Sequence, residues 1–222
     1  LFDFCSIKNT VIDSEHGGAG TELSDILDTI EKQCYIDPAI LLKHFWDVFV
    51  IDAFLGNFDR HNGNWGFLYH DETKSATLAP VFDCGSCLLP QADERIMNTV
   101  LNNGDELNAR IFRFPTSAIK LNGRKINYYD FLQAAENQDC NDAVMRMAPR
   151  INMDEICAFI EKVPFLMQHK EGFIKCILLL GTNELLNPRT RISWSCKVYP
   201  RHLKCNAYKH TDASSKLPQP ML

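Results

Sequence analysis

The sequence predicts a mainly α-helical domain that carries one small β-hairpin. Three observations lead there. Apolar residues recur at helical spacing at Leu23, Ile26, Leu27 and Ile30, and again at Ile156, Phe159 and Ile160. Two longer segments, residues 38–55 and 173–186, are apolar on most faces, as helices inside a domain are. Only one stretch reads as strand, turn and strand: Phe67, Leu68 and Tyr69, the polar residues 70–75, then residues 76–82 with Pro80 interrupting them.

Taken in order, the chain opens on an extended apolar start (Leu1, Phe2, Phe4) and a polar loop ending in Gly17, Gly18 and Gly20. A helix is expected from Thr21, capped by Thr21 or Ser24. Asp37 followed by Pro38 is a helix start with Asp at the N-cap and Pro in the first turn. That helix runs through Phe45, Trp46, Phe49, Val50 and Phe54, and residues 56–66 then form a polar loop before the hairpin. Beyond Pro90 the pattern is irregular, with an apolar patch at Ile111, Phe112 and Phe114. Helical patterns return near residues 128–136 and 141–147, and Asp154 is the expected cap of a helix that Pro164 ends or kinks. The last helix is expected over residues 173–186.

Composition narrows the function classes. With 45% hydrophobic and 23% charged residues, the 222-residue chain is an ordinary globular sequence, which excludes disordered, collagen-like and disulfide-dense readings. Most of the nine irregularly spaced cysteines read as reduced core residues of a cytoplasmic protein. Cys84 and Cys87 form a CxxC, but no second CxxC or spaced His pair completes a zinc site. Residues 1–10 lack the apolar core of a signal peptide, and Lys43, His44, Asp47 and Asp52 interrupt the longest apolar run, so no membrane association is expected. Residues 188–222 carry seven Lys/Arg against Asp212, a net +6 that leaves −11 for residues 1–187. This basic end is expected to be a poorly ordered, solvated tail, with any nucleic-acid contact indirect at most.

The chemistry-bearing stretch is the loop Gly56-Asn57-Phe58-Asp59-Arg60-His61-Asn62-Gly63-Asn64, together with Phe82-Asp83-Cys84-Gly85-Ser86 across the hairpin. Phosphoryl transfer needs a carboxylate to orient or deprotonate the acceptor hydroxyl, and oxygen ligands for a cation on the phosphates. An Asp, an Asn five residues on, and a second Asp beyond a hairpin supply those parts in the order that protein kinases use. The hairpin returns both of its ends to one edge, so the three residues converge. Trp65 and Phe67 read as core packing, and His44 and His70 as structural or surface residues. The run Gly17-Gly18-Ala19-Gly20 lacks the flanking pattern of a phosphate loop and reads as a flexible or substrate-side loop.

Two families share DRHxxN. Lipid kinases of the phosphatidylinositol 3-kinase type follow it with DFG, whereas this sequence reads LAPVFDCGS from Leu78 to Ser86. That ending resembles the HipA-like serine/threonine kinases, the toxin halves of bacterial toxin–antitoxin pairs, and their CtkA-type relatives. Residues 6–30 also resemble the CtkA-type branch, and the resemblance covers about residues 1–187. It implies a protein-kinase-like C-terminal lobe over 1–187 that transfers phosphate from ATP, with Mg²⁺, to Ser or Thr of a protein acceptor. It also brings in an antitoxin-type partner. By the same resemblance Asp59 is the catalytic base, and His61 supports the loop or the phosphates, or is a structural histidine behind them. Asn64 and Asp83 bind Mg²⁺ and the nucleotide, Arg60 contacts phosphate, and Ser86 holds the Asp83 turn.

The family pattern also requires an N-terminal lobe with a Gly-rich phosphate loop and a strand lysine. No early lysine, Lys8 included, stands in such a context, so the lobe is expected to be absent. With Leu1 in first position, the chain reads either as a piece of a larger kinase or as a natural C-lobe. The alternatives to a protein kinase are a non-catalytic kinase-like binding module and, with less support from LAPVFDCGS, a lipid kinase.

Overall fold

The structure, a computed structural model, describes residues 1–12, 17–164, 166 and 168–186. The expected basic tail, 188–222, lies outside the described residues. Strand β1 (Phe2–Asp3) leads directly into helix α1 (Phe4–Val11), where the sequence predicts extended chain and loop. Asp3 starts this helix by accepting a hydrogen bond from Ser6 N at 2.7 Å. Its buried face is Phe4, Ile7 and Lys8, and the lysine on that face is what hides the helical period.

Helix α2 (Leu23–Lys32) forms as expected but not by the expected caps. Glu22 occupies the N-cap without a side-chain cap bond. The Thr21 hydroxyl donates to Ala118 O at 2.8 Å, and the Glu22 carboxylate accepts from Asn122 N and Gly123 N at 2.6 and 3.0 Å. These residues therefore fasten a distant turn. Helix α3 (Pro38–Leu55) is the axis of the domain and packs against three other helices. Asp37 caps it through Ala39 N and Ile40 N, and Leu41, Trp46 and Val50 are fully enclosed. Each such side chain contributes about 1.5–3 kcal/mol through burial. Gly56, at φ +66°, ends the helix in the left-handed conformation that glycine tolerates best.

Strands β2 (Gly66–His70) and β3 (Ser75–Leu78) make the expected hairpin, whose second strand stops at Leu78 and not at Phe82. β1 adds antiparallel to β2, pairing Phe2 with Phe67 and Asp3 with Gly66. A Cβ at Gly66 would fall 2.1 Å from Phe2 O, so only glycine admits this pairing. Stacking of Phe4 on Trp65, with ring centroids 4.0 Å apart, welds α1 to the hairpin.

The region after Pro90 is not irregular. It folds as α4 (Glu94–Asn102) and α5 (Gly104–Phe112), started by Asp93 and Asn103. A second antiparallel pair follows, β4 (Thr116–Leu121) and β5 (Arg124–Asn127), so the mainly helical chain carries two small sheets and not one hairpin. Helices α6 (Tyr128–Ala134), α7 (Gln138–Met147) and α8 (Met153–Ile160) match the sequence reading, except that Asn152 and not Asp154 caps α8. Helix α9 (Gln168–Glu184) closes the domain, packing on α3, α4, α5 and α8. Of the described cysteines only Cys140 and Cys176 are core residues, and Cys34 and Cys84 are exposed. No helix among the described residues is long and apolar enough to cross a membrane.

Candidate active site

The site is built on the last turn of α3. Asp52, a carboxylate in an otherwise apolar helix, is buried, and the Gly56 turn carries Asn57 and Arg60 back onto it. Arg60 Nε donates to Asp52 Oδ2 at 2.9 Å and Nη2 to Oδ1 at 3.1 Å. Asn57 Nδ2 donates to Asp52 Oδ1 at 2.9 Å. Three donors thus satisfy the buried carboxylate, as a charge withdrawn from water requires. Asn57 is in turn held by Tyr128, whose hydroxyl donates to its carbonyl at 2.7 Å. Burial and the Asp52 charge both push the Tyr128 phenol upward, so it stays a donor.

Arg60 also joins the two loops. Its Nη1 donates to Asn64 O at 2.8 Å and to Phe82 O, and Nη2 reaches Cys84 Sγ at 3.5 Å. Asp83 lies between the two residues so gripped. Burial alone would lower the Arg60 pKa, but the Asp52 hydrogen bonds and charge outweigh it and raise it, so the guanidinium stays charged. With all three nitrogens engaged inside the domain, Arg60 does not fit the phosphate contact expected of it. It is the strut between the loops.

The other expected residues fall around that strut. Asp59 is exposed. Its backbone is fixed on both sides: its N–H donates to Asn57 Oδ1 at 3.1 Å, and its carbonyl accepts from Asn64 Nδ2 at 2.9 Å. Because the Asn64 amide nitrogen is committed to that bond, its Oδ1 is the atom left for a cation. Asp83 is exposed and sits at φ +52°, a left-handed conformation that Asp tolerates better than most residues. His61 is exposed, and its Nδ1 accepts from Gly63 N at 3.1 Å, which makes it a turn cap at the mouth of the site. Ser86 makes no side-chain hydrogen bond among the described residues; the backbone bond from Cys87 N to Cys84 O, 3.2 Å, closes the turn.

Magnesium fits this donor set. No cluster of three His, Cys, Asp or Glu suited to a metal occurs among the described residues. A small hard cation is, however, commonly held by one or two protein oxygens plus phosphate and water, and Asn64 Oδ1 with the Asp83 carboxylate offers that.

Several residues were not singled out from sequence. Asn62, inside the loop, is buried and donates through Nδ2 to Gly18 O and Gly20 O, both at 2.8 Å. Lys8, also buried, donates to Gly17 O at 3.1 Å, to Gly20 O at 2.8 Å and to Asp25 Oδ2 at 3.2 Å. The Gly-rich run thus lies against the Asp59–Asn64 loop. The available signal for the hub was Asp52 itself: a charge on a buried helix implies a buried partner. Trp65 and Phe67 are core residues, as expected.

This helical domain, with an Asp–Asn loop and a second Asp beyond a hairpin, has the plan of a HipA-like domain. The chain belongs to that family: the family described as HipA-like C-terminal domain matches residues 1–163. Among individual proteins, it is 54% identical over 213 residues to the serine/threonine-protein kinase CtkA of Helicobacter pylori, covering 96% of this chain and 66% of that protein. The chain therefore spans just under two thirds of that relative's length. It also superposes on the crystal structure of a Helicobacter pylori proinflammatory kinase CtkA with a TM-score of 0.82 and 49% identity, over 84% of this chain and 68% of the other.

Proposed function

We propose that this chain is the kinase-like C-lobe of an ATP- and Mg²⁺-dependent serine/threonine protein kinase. The observation that carries the reading is the Arg60 strut. It holds the loop bearing Asp59 and Asn64 against the turn that leads into Asp83, and both carboxylates are exposed. The 54% identity to a named serine/threonine-protein kinase supports the same acceptor class.

Asp59 orients the acceptor hydroxyl and takes its proton. Its backbone is pinned through Asn57 and Asn64, so the carboxylate meets the hydroxyl without reorganising. Asn64 Oδ1 and Asp83 hold Mg²⁺, which when bound neutralises charge on the ATP phosphates. His61 shapes the loop through Gly63. Arg60 positions both loops and touches neither substrate.

The test is transfer of labelled γ-phosphate to a protein acceptor, with titration of Mg–ATP into the same protein. Asp59→Asn is expected to lose about 10²–10⁴-fold in transfer while still binding Mg–ATP. Asp83→Asn is expected to lose both transfer and Mg²⁺-dependent binding. Normal transfer by either variant, with unchanged thermal unfolding, defeats the assignment.

A further inference from the structure

Two thiols beside Asp83 have no part in phosphate transfer. Cys84 is exposed and Cys87 half-buried. The backbone bond from Cys87 N to Cys84 O, 3.2 Å, makes Cys84-Gly85-Ser86-Cys87 a hydrogen-bonded β-turn. Such a turn brings its end Cα atoms within about 7 Å. A disulfide spans about 4.4–6.8 Å between the same atoms. The turn has room to adjust, because a Cβ at Gly85 would meet only Asp83 Oδ1, at 3.9 Å. Cys84 is also the outermost contact of the strut, with Sγ 3.5 Å from Arg60 Nη2.

We propose that Cys84 and Cys87 form a reversible intramolecular disulfide that detaches Cys84 from Arg60, turns Asp83 out of place and switches phosphate transfer off. The regulatory half of this proposal rests on the kinase reading above; the disulfide does not. The oxidant is a small-molecule disulfide. Exposed Cys84 attacks it, forming a mixed disulfide and releasing one small thiol; the Cys84 proton leaves with that thiol. Cys87 sulfur then attacks the Cys84 sulfur, releasing the second small thiol with the Cys87 proton. Two protein thiols are oxidised, one small disulfide is reduced to two thiols, and excess small thiol reverses the exchange. Of the other described cysteines, Cys140 and Cys176 are buried, which keeps them from the oxidant.

The experiment equilibrates the whole chain with oxidised and reduced glutathione at graded ratios, then blocks free thiols and maps peptides without reduction. The expected product is a peptide linking Cys84 to Cys87, lost on adding dithiothreitol, while Cys87→Ser stops at a glutathione adduct on Cys84. Amide exchange near residues 60–64 and 82–87 is expected to rise about tenfold on oxidation, as the strut loses a contact. Transfer is expected to fall in the oxidised wild type and to recover on adding dithiothreitol. If both thiols remain blockable at every ratio, the disulfide is refuted. If it forms with exchange unchanged, the link to Arg60 is refuted. A protein that binds no Mg–ATP in either redox state refutes the kinase reading, while the peptide map and exchange still decide the disulfide and its coupling.

Discussion

Replacing Arg60 by Met tests the strut most directly. Arg60 and Asp52 are 5% and 3% exposed, and their two hydrogen bonds are 2.9 and 3.1 Å. Arg60→Met keeps most of the side-chain volume but leaves the Asp52 carboxylate buried with Asn57 as its remaining side-chain donor. Stranding one member of a buried pair costs about 3–5 kcal/mol. Set against about 5–15 kcal/mol of total stability, that is a large loss. With a urea dependence near the upper end for small domains, about 3 kcal/mol per molar, the unfolding midpoint is expected to fall by about 1–2 M. Asp52→Leu, which strands the guanidinium, is expected to cost a similar amount. The double variant removes both charges and is expected to recover most of the loss, giving a coupling above about 2 kcal/mol in a double-mutant cycle. It does not restore the bonds from Arg60 to Asn64 O and Phe82 O, so it is expected to be stable yet poor in phosphate transfer. A coupling below about 0.5 kcal/mol, the size of an exposed ion pair, would refute a buried hub.

Gly18→Ala would place a Cβ 1.9 Å from Cys5 O and is expected to cost about 1–3 kcal/mol in urea unfolding, whereas Gly104→Ala, with nothing within 4 Å, is expected to be neutral or stabilising. Burial lowers the His44 pKa from 6.5, opposed by Asp47 and aided by Lys43. The unfolded chain therefore binds its proton first, and the stability due to neutral His44 is complete above 6.5 and lost as pH falls toward the folded value. His44→Gln is expected to flatten the loss of stability between about pH 7.5 and pH 5 relative to wild type, and an unchanged slope counts against a half-buried neutral imidazole.

How much of this could be read from the sequence depended on the range of the interactions. Helix α3 was legible because its signals are local: Asp37 and Pro38 at one end and Gly56 at the other. The β2–β3 hairpin was legible for the same reason. Helices α4 and α5 were missed because they bury few apolar residues, Met97 and Val100 in one and Ala109 and Ile111 in the other. The β4–β5 pair was missed because it carries Lys120, Arg124 and Lys125, and its fastening comes from Thr21 and Glu22, 97 and 100 residues away. At the site, the spacing of Asp59, Asn64 and Asp83 was readable, but the direction of Arg60 was not. Its partner lies eight residues back on the helix, and only the left-handed turn at Gly56 brings the two together.

A guanidinium beside a proposed Mg²⁺ site looks like a mistake, because two cations would repel. The hub resolves this. Asp52 pairs with Arg60 in the interior, so the strut brings no net charge to the site while still gripping Asn64 O and Phe82 O. The carboxylates facing solvent, Asp59 and Asp83, then set the local field, and that field is negative. Exchanging Arg60 for a neutral donor would not improve the field, because it would leave Asp52 unpaired beneath the loop. A buried ion pair rarely stabilises a fold more than apolar packing does. Its advantage here is geometric: one planar group with several fixed donors binds a helix end, a loop and a turn together, and no apolar side chain can do that.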